Sequence, residues 1–481
     1  MDRPTPRKSI WSHTAIYGIG TAINSASGLV LIPLYAHLLT PAEFGTYSII
    51  VVTGELIRIL ASRGLSAAMV RVYFDASDEQ GRSRVISTAL AGFLLLGLAI
   101  AVLVYPLSML ASRLLFESSD YGVLVALSFA ANFFALLFDI QLDYFRLRED
   151  SRMFLLLSIV KSGWLLSLTL LIVVIWQMGV FGIILSTLVG MSSLSVGLLI
   201  VILRRTGFQF NRSLMMQMLH LAMPMVPSNM ADVSTNSADK YFINHYVSTA
   251  VVGDYALANR IGSLLVMFIA GPFNQIWVVR RLLSLSVADD QRAMSRVFTQ
   301  FLAVICTAGL GLSLFAPELV NLISSGAYER ASKLIPLTCL SFVFMPLSMN
   351  FELDLLHAKK TYLIMYASVG AALVNIVIMY FLVTHFGAFG AATAMVVTNA
   401  CRVVFTAGLG RSYCQSSQHF DWKRAAVLVG TAAGAYTLTL IVVGDEMSPA
   451  KMLVKGLLLM GFALGAALLS RGESAQRDTA N

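Results

Sequence analysis

Charge is what this chain has least of. Only 12% of its 481 residues are Asp, Glu, Lys or Arg, about half the share usual in soluble domains, while 57% are hydrophobic and the mean hydropathy is +0.76. That balance excludes a soluble globular domain. Cysteine is scarce as well: Cys306, Cys339, Cys401 and Cys414 lack metal-ligand spacing, so free thiols are expected and not a zinc framework. No Gly-Lys-Ser/Thr triplet occurs, which argues against ATP hydrolysis, and the seven histidines form neither HExxH nor a close ligand cluster. Long outer loops are also missing, the longest being about fifteen residues around 318–332. Little room is left for a membrane-embedded sugar polymerase or ligase, and no metal or catalytic centre is expected.

The chain is instead rich in long apolar runs. Stretches of spanning length fall near residues 11–36, 44–70, 84–112, 121–145, 153–176, 179–203, 215–245, 250–279, 295–317, 332–356, 362–384, 387–410, 424–443 and 449–470. The expectation is an all-α polytopic membrane protein of about fourteen helices. Loop charge supports the count, because Lys and Arg collect in short cytoplasmic loops. With the N-terminus inside, twenty-three basic residues fall on the cytoplasmic side, and only Arg113, Arg330, Lys333 and Lys451 fall opposite. Both termini are therefore predicted to be cytoplasmic, with the first apolar run kept as a span and not cleaved as a signal peptide. The net charge of +8 follows from this loop bias and is spread over many places, so no nucleic-acid partner is expected.

A weak internal repeat runs through these spans. Gly45 and Tyr47 match Gly253 and Tyr255 at an offset of 208, and GVFG at 179–182 matches GAFG at 387–390 at the same offset. Between them QLD at 141–143 parallels ELD at 352–354, displaced by three further residues. The order predicts a cytoplasmic start at 1–10, a lobe of six spans over 11–203, a linker at 204–214, a second lobe over 215–411, two added spans over 412–470 and a tail at 471–481. Six is even, so the two lobes are parallel repeats. Such proteins hold substrate between lobes that rock to give alternating access.

Residues 223–246 are too polar for a lipid-facing helix. Ser228, Asp232, Thr235, Asn236 and Asp239 recur at three- and four-residue steps and share one face, which must meet a wet cavity or a tightly packed polar seam. Pro224 and Pro227 interrupt the backbone ladder ahead of it. Other charges also lie within the spans. Arg58, Arg63, Lys161, Lys240, Arg260 and Arg402 are candidate substrate-binding groups, since guanidinium forks and ammonium groups suit phosphates or acidic sugars. Lys455 lies close enough to a span end to snorkel. Asp239, Asp232, Asp143, Asp139 and Glu55 are candidates for coupling to a proton or sodium gradient, with structural ion pairs as the alternative. Glu55 and Arg58, three apart, can pair on their own helix.

The sequence LLTPAEFGTYS, after NSASGLVLIPLYA, resembles the polysaccharide-biosynthesis flippases of the multidrug/oligosaccharidyl-lipid/polysaccharide exporter superfamily, as does ADKYFINHYVSTAVVGDYALANRI in the second half. The resemblance implies a transporter, not an enzyme, that moves undecaprenyl-diphosphate-linked oligosaccharide across a bacterial inner membrane for surface polysaccharide export. Its expected partners are that substrate, membrane lipids, and the polysaccharide polymerase and chain-length machinery. It places Asp239 and Lys240 on the family's acidic-basic pair, and Gly45, Tyr47, Gly253 and Tyr255 on its turns. His37 departs from the Arg common there. An ion-coupled drug or small-molecule exporter of the same superfamily is the alternative, disfavoured by the excess of in-span Arg and Lys.

Overall fold

The computed structural model describes residues 30–76, 78–223, 226–284, 288–358, 360–413, 420–442 and 448–471, with three isolated positions before residue 30. Among these residues there are helices and no strands. They are α1 (Pro41–Asp75), α2 (Glu79–Phe116), α3 (Gly122–Leu147), α4 (Ser151–Thr169, continued as a π-helix over Leu170–Ile175), α5 (Gly179–Thr206), α6 (Arg212–Ala222), α7 (Val226–Tyr246), α8 (Thr249–Gly262), α9 (Gly271–Ser284), α10 (Ala288–Leu314), α11 (Ala316–Ser324), α12 (Glu329–His357), α13 (Thr361–Tyr413), α14 (Trp422–Val442) and α15 (Pro449–Arg471). Ten helical segments among the described residues are long and apolar enough to cross a membrane. The charge-bearing α1 and the polar α7 are not among them.

Side chains in the loops set the helix starts. Thr40 accepts from the Glu43 amide while the Glu43 carboxylate accepts from the Thr40 amide, a reciprocal cap on α1. Asp78, Asp150, Asn211 and Ser248 cap α2, α4, α6 and α8 in the simpler way. α6 stops at Ala222 and α7 begins at Val226. A straight α13 of 53 residues would measure about 80 Å at 1.5 Å per residue, far beyond a hydrocarbon core of about 30 Å. It bends at Gly387, whose φ of 57° and ψ of −132° suit a residue without Cβ.

The chain divides into two compact units between Ser237 and Ala238. In the first, α1, α2, α3, α5 and α6 pack around Met69, Phe93, Leu137, Ile202 and Met218, all fully buried. Lipid is as apolar as these side chains, so close packing holds such helices together more than removal from water does. At one end of this unit Arg148 donates to the Tyr144 hydroxyl at 2.9 Å and lies 3.2 Å from Glu79. Arg82 stacks over the Tyr73 ring nearby. In the second unit, α12 packs against α8, α10 and α13, and α10 packs against α14 and α15.

The repeat written weakly in the sequence returns as matched local geometry. Ser128 Oγ donates to the Ile50 carbonyl at 3.2 Å, and Thr338 Oγ1 donates to the Ala258 carbonyl at 3.2 Å, the carbonyls being 208 residues apart. Four residues beyond each carbonyl stands a glycine, Gly54 or Gly262, with no room for a methyl group. Gly179 and Gly387 share a left-handed φ, 52° and 57°. The next matched contact differs in chemistry. Gln141 Nε2 donates to the Ser195 carbonyl, whereas Glu352, at the position matching Gln141, pairs with Arg402 at 2.9 Å.

Candidate functional site

Asp239 sits at the centre of the most buried polar group on α7. It is 1% exposed and accepts from the Lys240 amide at 2.8 Å. Tyr255 on α8, in the Gly-x-Tyr pattern, is fully buried, and its hydroxyl donates to Met395 Sδ at 3.7 Å. Thr235, one turn earlier, is also buried and donates to the Ala231 carbonyl. Both described members of the α7 stripe, Thr235 and Asp239, are buried. Asp232 lies on α7, but its side chain, like those of Ser228 and Asn236, is outside the described residues.

The remaining candidates divide by partner. Lys161 on α4 lies 3.8 Å from Asp139 and over the Phe138 ring. Asp143 is bound by Arg146 at 3.0 Å and accepts from Ser66. Arg402 is held by Glu352 and donates to Ser368 at 3.3 Å. These six charges form three ion pairs. Glu55 is half-buried on α1, while the side chains of Arg58 and Arg63 on the same helix lie outside the described residues, and with them the expected Glu55–Arg58 pair. Among the described residues neither Lys240 nor Arg260 has a carboxylate within salt-bridge distance; Lys240 is half-buried and Arg260 exposed. Arg260 stands eleven residues into the apolar segment Thr249–Val278, roughly 16 Å along the helix. His37 is exposed.

Two charged contacts run against the sequence expectation. Lys455 does not snorkel to an interface: it is 3% exposed and its Nζ lies 2.7 Å from Glu318. The reason is a partner, since Glu318 near the start of α11 satisfies the ammonium inside the protein. Arg281, counted with the loop cations, is buried at the end of α9 and lies 3.2 Å from Asp354, which is fully buried. Beside this pair Trp277 Nε1 donates to Asn350 Oδ1 at 3.0 Å. Hydropathy could not signal such a pair, because its halves are 73 residues apart in sequence. The thiols follow expectation, with Cys306 and Cys339 buried and free and Cys401 exposed. No group of three His, Cys, Asp or Glu side chains able to hold a metal is found among the described residues.

The architecture is that of a multi-pass membrane protein. It is similar to a lipid II flippase, MurJ, in its inward closed conformation, with a TM-score of 0.74 at 16% identity over 97% of this chain and 100% of that one. It also resembles an inward-facing multidrug resistance MATE family transporter of the MOP superfamily, with a TM-score of 0.61 at 17% identity over 84% and 95%. A MATE protein in the straight conformation matches at 0.58 and 18% identity over 87% and 97%. No curated protein matches the chain. The family model for polysaccharide biosynthesis proteins matches residues 34–333, more than half of the sequence, and the chain belongs to that family.

Proposed function

We propose that this protein is a flippase that carries undecaprenyl-diphosphate-linked oligosaccharide from the cytoplasmic to the outer leaflet of a bacterial inner membrane, for export of a surface polysaccharide. The observation that carries the reading is Arg260. An exposed guanidinium about a third of the way along a membrane span cannot rest in hydrocarbon, where it would cost at least about 2.5–3.5 kcal/mol, so it faces a hydrated path. With no carboxylate partner among the described residues, it is available to a diphosphate, which a guanidinium binds through two parallel hydrogen bonds. Lys240 is the second available cation. Lys161 and Arg402 exchange partners more expensively, and Arg58 and Arg63 add charge on α1.

The path opens alternately to the two sides of the membrane. Fourteen spans, grouped as six over 11–203, six over 215–411 and two over 412–470, with both termini cytoplasmic, accommodate the helices and the matched geometry of the repeats. Coupling to a proton or sodium gradient falls to Asp239, with Asp232, Asp143, Asp139 and Glu55 as further acidic groups. The polymerase and chain-length machinery take the delivered oligosaccharide. Transport into vesicles by purified protein, with lipid-diphosphate oligosaccharide as cargo and a cationic dye as competitor, tests the reading. A multidrug exporter would move the dye instead.

A further inference from the structure

The second unit contains a cavity of about 550 Å³ away from every residue assigned above to cargo or coupling. We propose that it holds one acyl chain of a membrane phospholipid, with the phosphate of that lipid at Lys333. The walls come from α10, α12, α14 and Phe389 of α13, with Lys455 closing one side from α15. Small residues, Ala432 and Ala433 of α14 and Gly309 of α10, are among those that line it.

Its dimensions match a lipid chain in one leaflet. The lining runs from Lys333 to Val343 on α12 and from Leu440 to Val429 on α14, about 15–16 Å in each case and close to half of a ~30 Å hydrocarbon core. At the ~30 Å³ that a water occupies in the liquid, the volume holds roughly eighteen water-sized units, and a methylene is of similar size. That suits a single fatty acyl chain. A whole 55-carbon undecaprenyl tail exceeds that volume, which favours a phospholipid chain over the cargo's own lipid.

Polarity runs along the same axis. The deep end, at Cys306, Val343 and Val429, is apolar or a neutral thiol. The other end carries Ser332, Lys333 and Lys455. Lys455 is neutralised there by Glu318, which leaves Lys333 as the available charge: it is exposed and forms no salt bridge among the described residues. Access is lateral. Ala433, Thr437 and Leu440 line the cavity yet are exposed along one face of α14. α14 and α15 are also the least enclosed of the ten apolar spans, so lipid surrounds the opening.

The test is lipid retention by the full chain purified in detergent, read by native mass spectrometry and by lipid extraction. Wild type is expected to keep about one phospholipid per chain through washing. Ala432→Phe and Ala433→Trp are expected to lose it by about tenfold, and Lys333→Glu to weaken it while Lys333→Arg keeps it. Gly461→Phe on α15, where added atoms meet open space, is the matched bulky control and retains lipid. Should Ala432→Phe fail to fold, the exposed Ala433 and the Lys333 variants still decide. Equal phospholipid in filled and wild-type protein overturns the proposal, as does a polyprenyl lipid retained in place of phospholipid and lost on filling. Retention is measured without transport, so either result leaves the flippase reading to its own assay.

Discussion

The ammonium of Lys455 lies 2.7 Å from the carboxylate of Glu318, joining α15 to the start of α11 across 137 residues of sequence. Both side chains are nearly enclosed, and a buried charge that loses its partner typically costs about 3–5 kcal/mol, whereas replacing both by apolar groups is close to neutral. Lys455→Ala and Glu318→Ala are each expected to lower unfolding stability by that order. Lys455→Met combined with Glu318→Leu should recover most of the loss in the same unfolding measurement. Additive losses in the double variant would show that the two residues act separately.

Arg281 and Asp354 offer a comparison within the same unit, because they are more deeply buried than Arg402 and Glu352. Arg281→Ala should therefore destabilise the protein more than Arg402→Ala does, with the difference about 1 kcal/mol or more. Arg402→Ala is expected to act on transport as well as stability. Equal effects of both variants on stability and none on transport would place Arg402 among the purely structural ion pairs.

Backbone shape gives a prediction independent of charge. Gly387 has φ 57° and ψ −132°, a region nearly closed to other residues, so Gly387→Ala should cost about 1–3 kcal/mol. Gly179→Ala, at φ 52° with open space around the added methyl, should cost less. Thermal unfolding of the two variants side by side measures the ordering, and a reversed order would contradict it.

Coupling rests on Asp239, with the buried Tyr255 as a second group to test. Asp239→Asn keeps the size and much of the hydrogen bonding of the carboxyl group but removes titration. It is expected to abolish transport driven by an imposed proton or sodium gradient while leaving cargo binding in place, and Tyr255→Phe should produce a milder defect. Gradient-driven transport at the wild-type rate in Asp239→Asn would return this pair to a packing role.

The apolar spans were legible in the sequence because hydropathy is local, whereas the Thr40–Glu43 cap that starts α1 emerges from the structure. The repeat was legible only faintly, through Gly45, Tyr47 and their partners. The contacts that best express it, Ser128 to Ile50 and Thr338 to Ala258, use common residue types that no short motif singles out. Charge pairing was the least legible feature. Lys455 near a span end reads as a snorkelling residue until Glu318 is placed beside it, and Arg281 reads as a loop cation until Asp354 is seen across the bundle. The α7 stripe shows a related ambiguity. A row of polar residues excludes lipid, but periodicity alone does not separate a wet wall from a packed seam.

The most direct test of the central claim is leaflet translocation of lipid-diphosphate-linked oligosaccharide by the purified protein in sealed vesicles, compared between wild type, Arg260→Ala, Lys240→Ala and Arg260→Lys. The account predicts translocation by wild type, a loss of about tenfold in each alanine variant at unchanged protein level, and partial recovery in Arg260→Lys, where the charge returns without the guanidinium fork. Normal translocation by both alanine variants, or movement of a cationic dye with no movement of the glycolipid, would contradict it.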